Sequence, residues 1–197
     1  MSLSIAQRPT IVDRVLPRSL VTDFSLILAG VVLIAGAAQL SIPMYPVPMT
    51  GQTFAVLLVA MSLGFGRATI SATTYVALGA AGLPIFTAGA SGWSFGPTLG
   101  FLVGFIAAAA LVGWLAQRGW DKSWLKVGVA FLAGSIVIYA FGLPWLAIFL
   151  GAVGAPNDLL YVINAGLAPF IVGDIVKAIA AAALLPAAWA GIGQLKK

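Results

Sequence analysis

The chain has 197 residues, of which 61% are hydrophobic and only 8% charged; a soluble domain carries roughly a quarter charged residues to cover a surface that faces water. The bilayer is therefore expected to be its solvent, with room for about six spans of roughly 20 residues and no soluble domain beside them. The net charge is +5, with five Asp and no Cys, His or Glu, which excludes disulfides and His-based triads and strips transition-metal sites of their usual ligands.

In chain order, residues 1–20 read as a polar leader with Arg8, Asp13, Arg14, Arg18 and two prolines. It lacks the compact basic-then-apolar order of a secretory signal. Span one is expected at about 21–42. The run Pro43-Met44-Tyr45-Pro46-Val47-Pro48 breaks it, because prolines inside a helix cost backbone hydrogen bonds. Span two is expected at about 52–64, and a tight turn from Gly64 to Arg67 leads into span three at 68–82. A break rich in Gly, Ser and Pro covers 83–97. Span four follows at 98–117, a polar stretch at 118–126, and span five at 127–150 with Pro144 inside it. Another break covers 151–167, span six runs from 169 to 192, and a tail covers 193–197. Spans two and three are short for a hydrocarbon core about 30 Å thick. Short helices at membrane depth lie against protein or line a cavity.

The positive charges test this count. Arg8, Arg14 and Arg18 precede span one, Arg67 lies between spans two and three, Arg118, Lys122 and Lys126 lie between four and five, and Lys196 and Lys197 follow six. The breaks after spans one, three and five hold no Lys or Arg. Nine of the 10 basic residues thus fall on one side of a six-span chain, and by the positive-inside rule that side is the cytoplasm. The expectation is an all-α integral membrane protein of a prokaryotic plasma membrane: a six-transmembrane-helix bundle with both termini cytoplasmic. Its substrate-binding domain is 21–192, flanked by a cytoplasmic leader 1–20 and a cytoplasmic tail 193–197.

Lys177 is the tenth basic residue. It sits within span six, three residues after Asp174, so both side chains project from one helix face. A charge at the centre of a span costs about 2.5–3.5 kcal/mol on insertion scales. Two readings are open: an ion pair that cancels itself and fixes packing, or a substrate site that gives Asp174 to a ligand N–H and Lys177 to a ligand oxygen. Other polar groups fall near the same, outward end. Gln52 and Thr53 open span two; Ser91, Ser94 and Thr98 belong to the second outer break; Asn157, Asp158 and Asn164 belong to the third. Each is otherwise a cap or turn residue. Tyr45, Trp93, Tyr139 and Trp145 are candidate aromatic walls or, for the tryptophans, members of an interfacial belt. Gly89, Gly92 and Gly96 allow close backbone approach. No phosphate-loop pattern is present, so the chain has no visible ATPase of its own.

These residues also carry a resemblance. Pro46-Val47-Pro48-Met49-Thr50 with Gln52-Thr53-Phe54-Ala55-Val56-Leu57-Leu58 resembles the opening of span two in the BioY family, the biotin-specific S components of energy-coupling factor (ECF) transporters. Gly82-Leu83-Pro84-Ile85-Phe86 followed by Gly96-Pro97-Thr98 resembles that family's second outer loop. Gly142-Leu143-Pro144-Trp145-Leu146 resembles its fifth span, and Pro169-Phe170 with Gly173-Asp174 and Lys177 its sixth. The blocks occur in family order and cover about residues 33–184. The chain departs from the pattern in having Leu99-Gly100-Phe101 after Gly-Pro-Thr, where the family commonly has Gly-Gly-Tyr. It also has no Asn or Arg in the preceding loop, so the group that meets the valerate carboxylate is left open.

The resemblance implies a vitamin-uptake subunit with an outward-side pocket, Asp174 accepting from a ureido N–H of biotin and Lys177 meeting a biotin oxygen. Gln52, Thr53, Tyr45, Trp93, Thr98, Tyr139 and Asn164 complete the expected set. It further implies a transmembrane coupling subunit and two ATPase subunits as partners, and a docking face of small residues on span one, where this chain has Ser25 and Ala29 four apart and the cluster Ala35-Gly36-Ala37-Ala38 without a clean alanine ladder; such small faces serve equally for close packing within the bundle. No cofactor, metal or nucleic acid is expected. The competing readings are an S component for another small molecule, a structural membrane partner without substrate, and a membrane enzyme that would have to work with Asp174 or Lys177.

Overall fold

The computed structural model describes residues 10–17, 19–92 and 96–195, with side chains to residue 191. Eight α-helices lie among them: α1 (Ile11–Val15), α2 (Leu20–Gln39), α3 (Gln52–Leu63), α4 (Phe65–Ala80), α5 (Leu99–Ala116), α6 (Trp124–Ala152), α7 (Leu159–Gly166) and α8 (Ala168–Leu195). All six segments read as spans are helical, and their ends fall close to the expected Pro, Gly and charged breaks. Among the described residues, four stretches are long and apolar enough to cross a bilayer: Leu20–Gln39, Leu99–Ala116, Trp124–Ala152 and Leu159–Gly191. At a rise of about 1.5 Å per residue, α3 and α4 are shorter than the hydrocarbon core.

The helix ends follow local chemistry. Ser19 caps α2 by accepting from the Thr22 N–H at 3.0 Å, and Asp158 caps α7 by accepting from the Tyr161 N–H at 3.1 Å. Gly64, at φ 80°, separates α3 from α4 in a conformation that side chains disfavour. Pro144 lies inside α6, which runs unbroken through it.

Of the breaks, one holds a strand pair and another an α-helix that were not expected. The Pro-rich segment 43–48 is the tip of a ribbon, in which β1 (Ser41–Ile42) pairs antiparallel with β2 (Met49–Thr50). Prolines forbid helix but leave room for two short pairing segments on either side of them. The third break contains α7, whose capping Asp158 was the signal available in the sequence.

The packing is that of a membrane bundle. Of the α5 span 61% is buried, against 17% of α2, so α5 is the central helix and α2 an outer one. α5 packs on α3, α4 and α6, and α6 on α8. α8 shows the inversion a bilayer demands. Val172, Ile175, Val176 and Ile179 face outward, whereas Phe170, Asp174, Ala178, Ala181 and Leu185 face the bundle. The apolar side of this helix is its exposed side, which is stable only against lipid.

Candidate functional site

The bundle has two chemically different ends. At one, α1, the turn at Gly64–Arg67, the start of α6 and the C-terminal part of α8 come together. At the other, the β-ribbon, the described residues of the 83–98 connection, the starts of α3 and α8 and the middle of α6 surround a cavity of about 340 Å³, within the range of small-molecule sites. Its walls are mostly apolar: Val47 and Pro48 from the ribbon, Leu99, Phe101, Leu102 and Phe105 from α5, Ile138 from α6 and Phe170 from α8. Polar groups enter from Thr50, Gln52, Thr53, Thr87, Ser91, Thr98, Tyr139 and Lys177.

Asp174 and Lys177 meet beside this cavity, which Lys177 and Tyr139 line and Asp174 does not. Lys177 Nζ donates to Thr53 Oγ1 at 2.7 Å and to Asp174 Oδ1 at 3.2 Å. Tyr139 Oη donates to Asp174 Oδ2 at 2.5 Å. One turn of α8 therefore presents both charges to one side, while α3 and α6 each supply a hydroxyl to hold them. Asp174 is 7% exposed and buried behind Tyr139 and Lys177, and Lys177 lines the cavity itself. The ring of Phe101 stands edge-on to Tyr139, centroids 6.3 Å apart, and fixes the phenol from the α5 side. An ammonium has three donors, and two of Lys177's are used among the described residues.

A second polar group stands at the rim. Gln52, 4% exposed, donates through Nε2 to Tyr75 Oη at 2.6 Å. Its Oε1 accepts from Thr50 Oγ1 and from Thr87 Oγ1, each at 3.1 Å. Tyr75 Oη in turn donates to the Ile85 carbonyl at 3.3 Å. Gln52 faces the cavity with its amide largely engaged by protein.

The remaining expected site residues divide. Thr98 lines the cavity. Tyr45 lies on the ribbon tip, 76% exposed and outside the cavity, because the prolines around it turn its ring outward. Asn164 is exposed on α7 and also outside the cavity, since that helix covers α6 and α8 from without. Trp93 and Ser94 lie outside the described residues. Trp145 buttresses the site rather than lining it: its Nε1 donates to the Gly96 carbonyl at 2.8 Å, and its ring fills the space beside Gly100, where a Cβ would collide. Asn157 is exposed, and Asp158 is the α7 cap already described. Residues that sequence reasoning missed are Thr87, Tyr75 and Gln39. Thr87 is a lone hydroxyl in a run of small residues, and nothing in its spacing marks it. A tyrosine within an apolar helix, as at Tyr75, was a weak signal of a buried polar contact.

Comparisons with known proteins bear on this site. A family model described as the BioY family matches residues 8–194. The chain is 40% identical over 162 residues to the biotin transporter BioY of Thermotoga maritima, covering 80% of this chain and 90% of that protein. It is 34% identical over 169 residues to the biotin transporter BioY of Rhizobium etli, covering 81% and 87%. The fold is similar to a crystal structure of the S-component for biotin from an ECF-type ABC transporter, with a TM-score of 0.72 and 26% identity over 84% of this chain and 89% of that one.

Proposed function

The chain belongs to the BioY family, and from that membership we propose that it is the substrate-binding subunit of a biotin uptake transporter, taking biotin into the cavity between α3, α5, α6 and α8. The observation that carries the reading is the Asp174–Lys177 pair held by Thr53 and Tyr139 beside an apolar chamber. Biotin offers matching chemistry: a ureido group with N–H donors and a carbonyl acceptor, fused to an apolar thioether ring. Asp174 would accept a ureido N–H, Lys177 would donate to a biotin oxygen, and Phe101, Phe105 and Phe170 would enclose the rings.

All six segments would cross the bilayer, with α3 and α4 shielded by neighbours because they are short. The leader 1–20, the polar stretch 118–126 and the tail 193–197 would be cytoplasmic, and 21–192 would form the binding domain. The basic residues support this orientation, since nine of 10 fall in the leader, the two connections and the tail that a six-span chain puts on one side of the bilayer. With no phosphate-loop pattern in the chain, the energy would come from partners: a transmembrane coupling subunit and two ATPase subunits. Ser25, Ala29 and Gly36, exposed small residues on the outer helix α2, suit close packing against the coupling subunit.

Titration of purified protein with biotin, by calorimetry or tryptophan fluorescence, is expected to give one site per chain with no metal requirement. No heat and no competition with labelled biotin would move the assignment to another small molecule. For orientation, single cysteines replacing Ser91 and Asn157 should react with an impermeant thiol reagent in intact cells. A cysteine replacing Ser123 should not, and its labelling from outside would invert the arrangement.

A further inference from the structure

We propose that Gln39, at the end of α2, is a positioning residue for ligand binding: its side-chain amide braces a left-handed turn in the cavity wall. The proposal rests on the cavity being the biotin site. The turn is at Ala88, with φ 56° and ψ 32°. A residue with a Cβ rarely adopts that region, and it persists only where its surroundings hold it there. Ala88 and its neighbour Thr87 both line the cavity.

The hold is visible. Gln39 Nε2 donates to the Phe86 carbonyl at 3.0 Å, and its Oε1 accepts from the Gly89 N–H at 3.2 Å. One planar amide thus grips both ends of the segment that contains Thr87 and Ala88. The turn's own Gly89 N–H to Phe86 carbonyl bond, at 3.1 Å, is spanned by the same grip. The opposite side is fixed from α3 and α4. Gln52 accepts from Thr87, Tyr75 donates to Ile85, and the Phe86 ring lies against Gly79, where a Cβ would not fit.

Gln39 is itself exposed and does not line the cavity. Any effect it has on ligand must pass through the turn. A wall ordered before the ligand arrives lowers the ordering cost of binding. Loss of the brace would let Ala88 relax toward ordinary backbone angles and take the Thr87 hydroxyl out of place.

The test compares parent, Gln39→Ala, and Gln39→Ala with Ala88→Gly, measuring biotin affinity, thermal stability, and amide hydrogen exchange of residues 85–90 without ligand. Gln39→Ala is expected to weaken biotin binding roughly three- to tenfold, the loss of one net hydrogen bond or two weak ones, with a melting temperature close to the parent's. Exchange at 85–90 should quicken. Glycine takes the left-handed region without penalty, so Ala88→Gly on the Gln39→Ala background should recover part of the affinity and of the protection. A merely structural loss would not be rescued there. Parent-like binding and exchange in Gln39→Ala would overturn the proposal, as would a general collapse of stability that Ala88→Gly does not relieve. A parent that binds no biotin would overturn the function instead. The exchange rates then decide the brace alone: unchanged rates in Gln39→Ala remove it, and quickened rates restored by Ala88→Gly sustain it.

Discussion

Two ion-paired clusters stand at opposite ends of this bundle, each joining aspartate to a basic side chain but differing in the base and in geometry. At the closed end, Arg67 Nε donates to Asp23 at 2.8 Å and its Nη1 to Asp13 at 2.9 Å. A planar guanidinium joins α4 to α1 and α2 with a rigid fork. Asp13 is engaged on its other oxygen too, accepting from the Thr10 N–H and hydroxyl at 3.1 and 3.0 Å. At the cavity end, Lys177 holds Asp174 at 3.2 Å within one helix, with hydroxyls filling the gaps. The first cluster spends its guanidinium on carboxylates of two other helices and ties the three together. The second leaves one Lys177 donor uncommitted among the described residues, beside the cavity. Charge in a membrane bundle becomes a strap or a site according to whether its donors are consumed by neighbouring helices.

The comparison breaks most sharply at the cavity pair. Asp174→Asn keeps shape and removes charge, and Lys177→Met does the same at its site. Hydrogen bonds to charged groups are worth roughly 1.5–3 kcal/mol each, so each change is expected to weaken biotin about tenfold or more. Each single change also strands a buried charge and should lower stability, while the double change restores much of it. The double mutant is therefore the discriminating protein: folded, and poor at binding biotin. A stable double mutant that binds as tightly as the parent would make this pair a strap like the other.

The Arg67 cluster should behave in the opposite way. Arg67→Met is expected to lower unfolding stability by about 2 kcal/mol, between the values for exposed and buried pairs. Asp23 is partly exposed and discounts the effect, whereas Asp13 is 7% exposed and keeps it substantial. Biotin affinity of the folded protein should stay near the parent's. Denaturation in detergent alongside a binding titration checks both, and a tenfold loss of affinity without loss of stability would tie this end to the site.

Much of this contrast is readable from the chain because charges are so few. Asp174 and Lys177 stand out in an apolar helix, and a spacing of three puts them on one face whatever the tertiary structure. The helical segments were readable for the same reason: apolar runs between Pro, Gly and charge have one good conformation in lipid. What the sequence hides is the route of uncharged side chains. Tyr45 and Asn164 look like wall residues by position near the outer end, but the ribbon and α7 send them outward. Gln39 closes an apolar helix, and nothing local says that its amide reaches a loop some 50 residues on. Asp13 and Asp23 were visible, but their convergence on Arg67 depends on how α1 folds back.

The smallest expected effect concerns the other carboxylate of the closed end and sharpens what distinguishes a strap. Asp121 is 1% exposed, in the short 3₁₀ turn Trp120–Lys122, and Trp189 Nε1 donates to its Oδ2 at 2.8 Å. Its Oδ1 has no hydrogen-bond partner among the described residues. No arginine fork serves it as Arg67 serves Asp13. Burial pushes the Asp121 carboxyl up, against the opposing pull of the Trp189 hydrogen bond and the Lys122 charge. A carboxyl raised in the folded state keeps its proton at a pH where the unfolded chain has lost it. Stability is therefore expected to fall as pH rises from the ordinary aspartate range through the raised value. Asp121→Asn cannot ionise, and its side-chain carbonyl can still accept from Trp189. Its stability should equal or slightly exceed the parent's at neutral pH, by less than about 1 kcal/mol, and should lose the parent's decline across that window. Unfolding measured in detergent at a series of acidic to neutral pH values resolves this. Parallel curves for parent and variant would mean that Asp121 does not titrate with folding and that its unpartnered oxygen is satisfied in some other way.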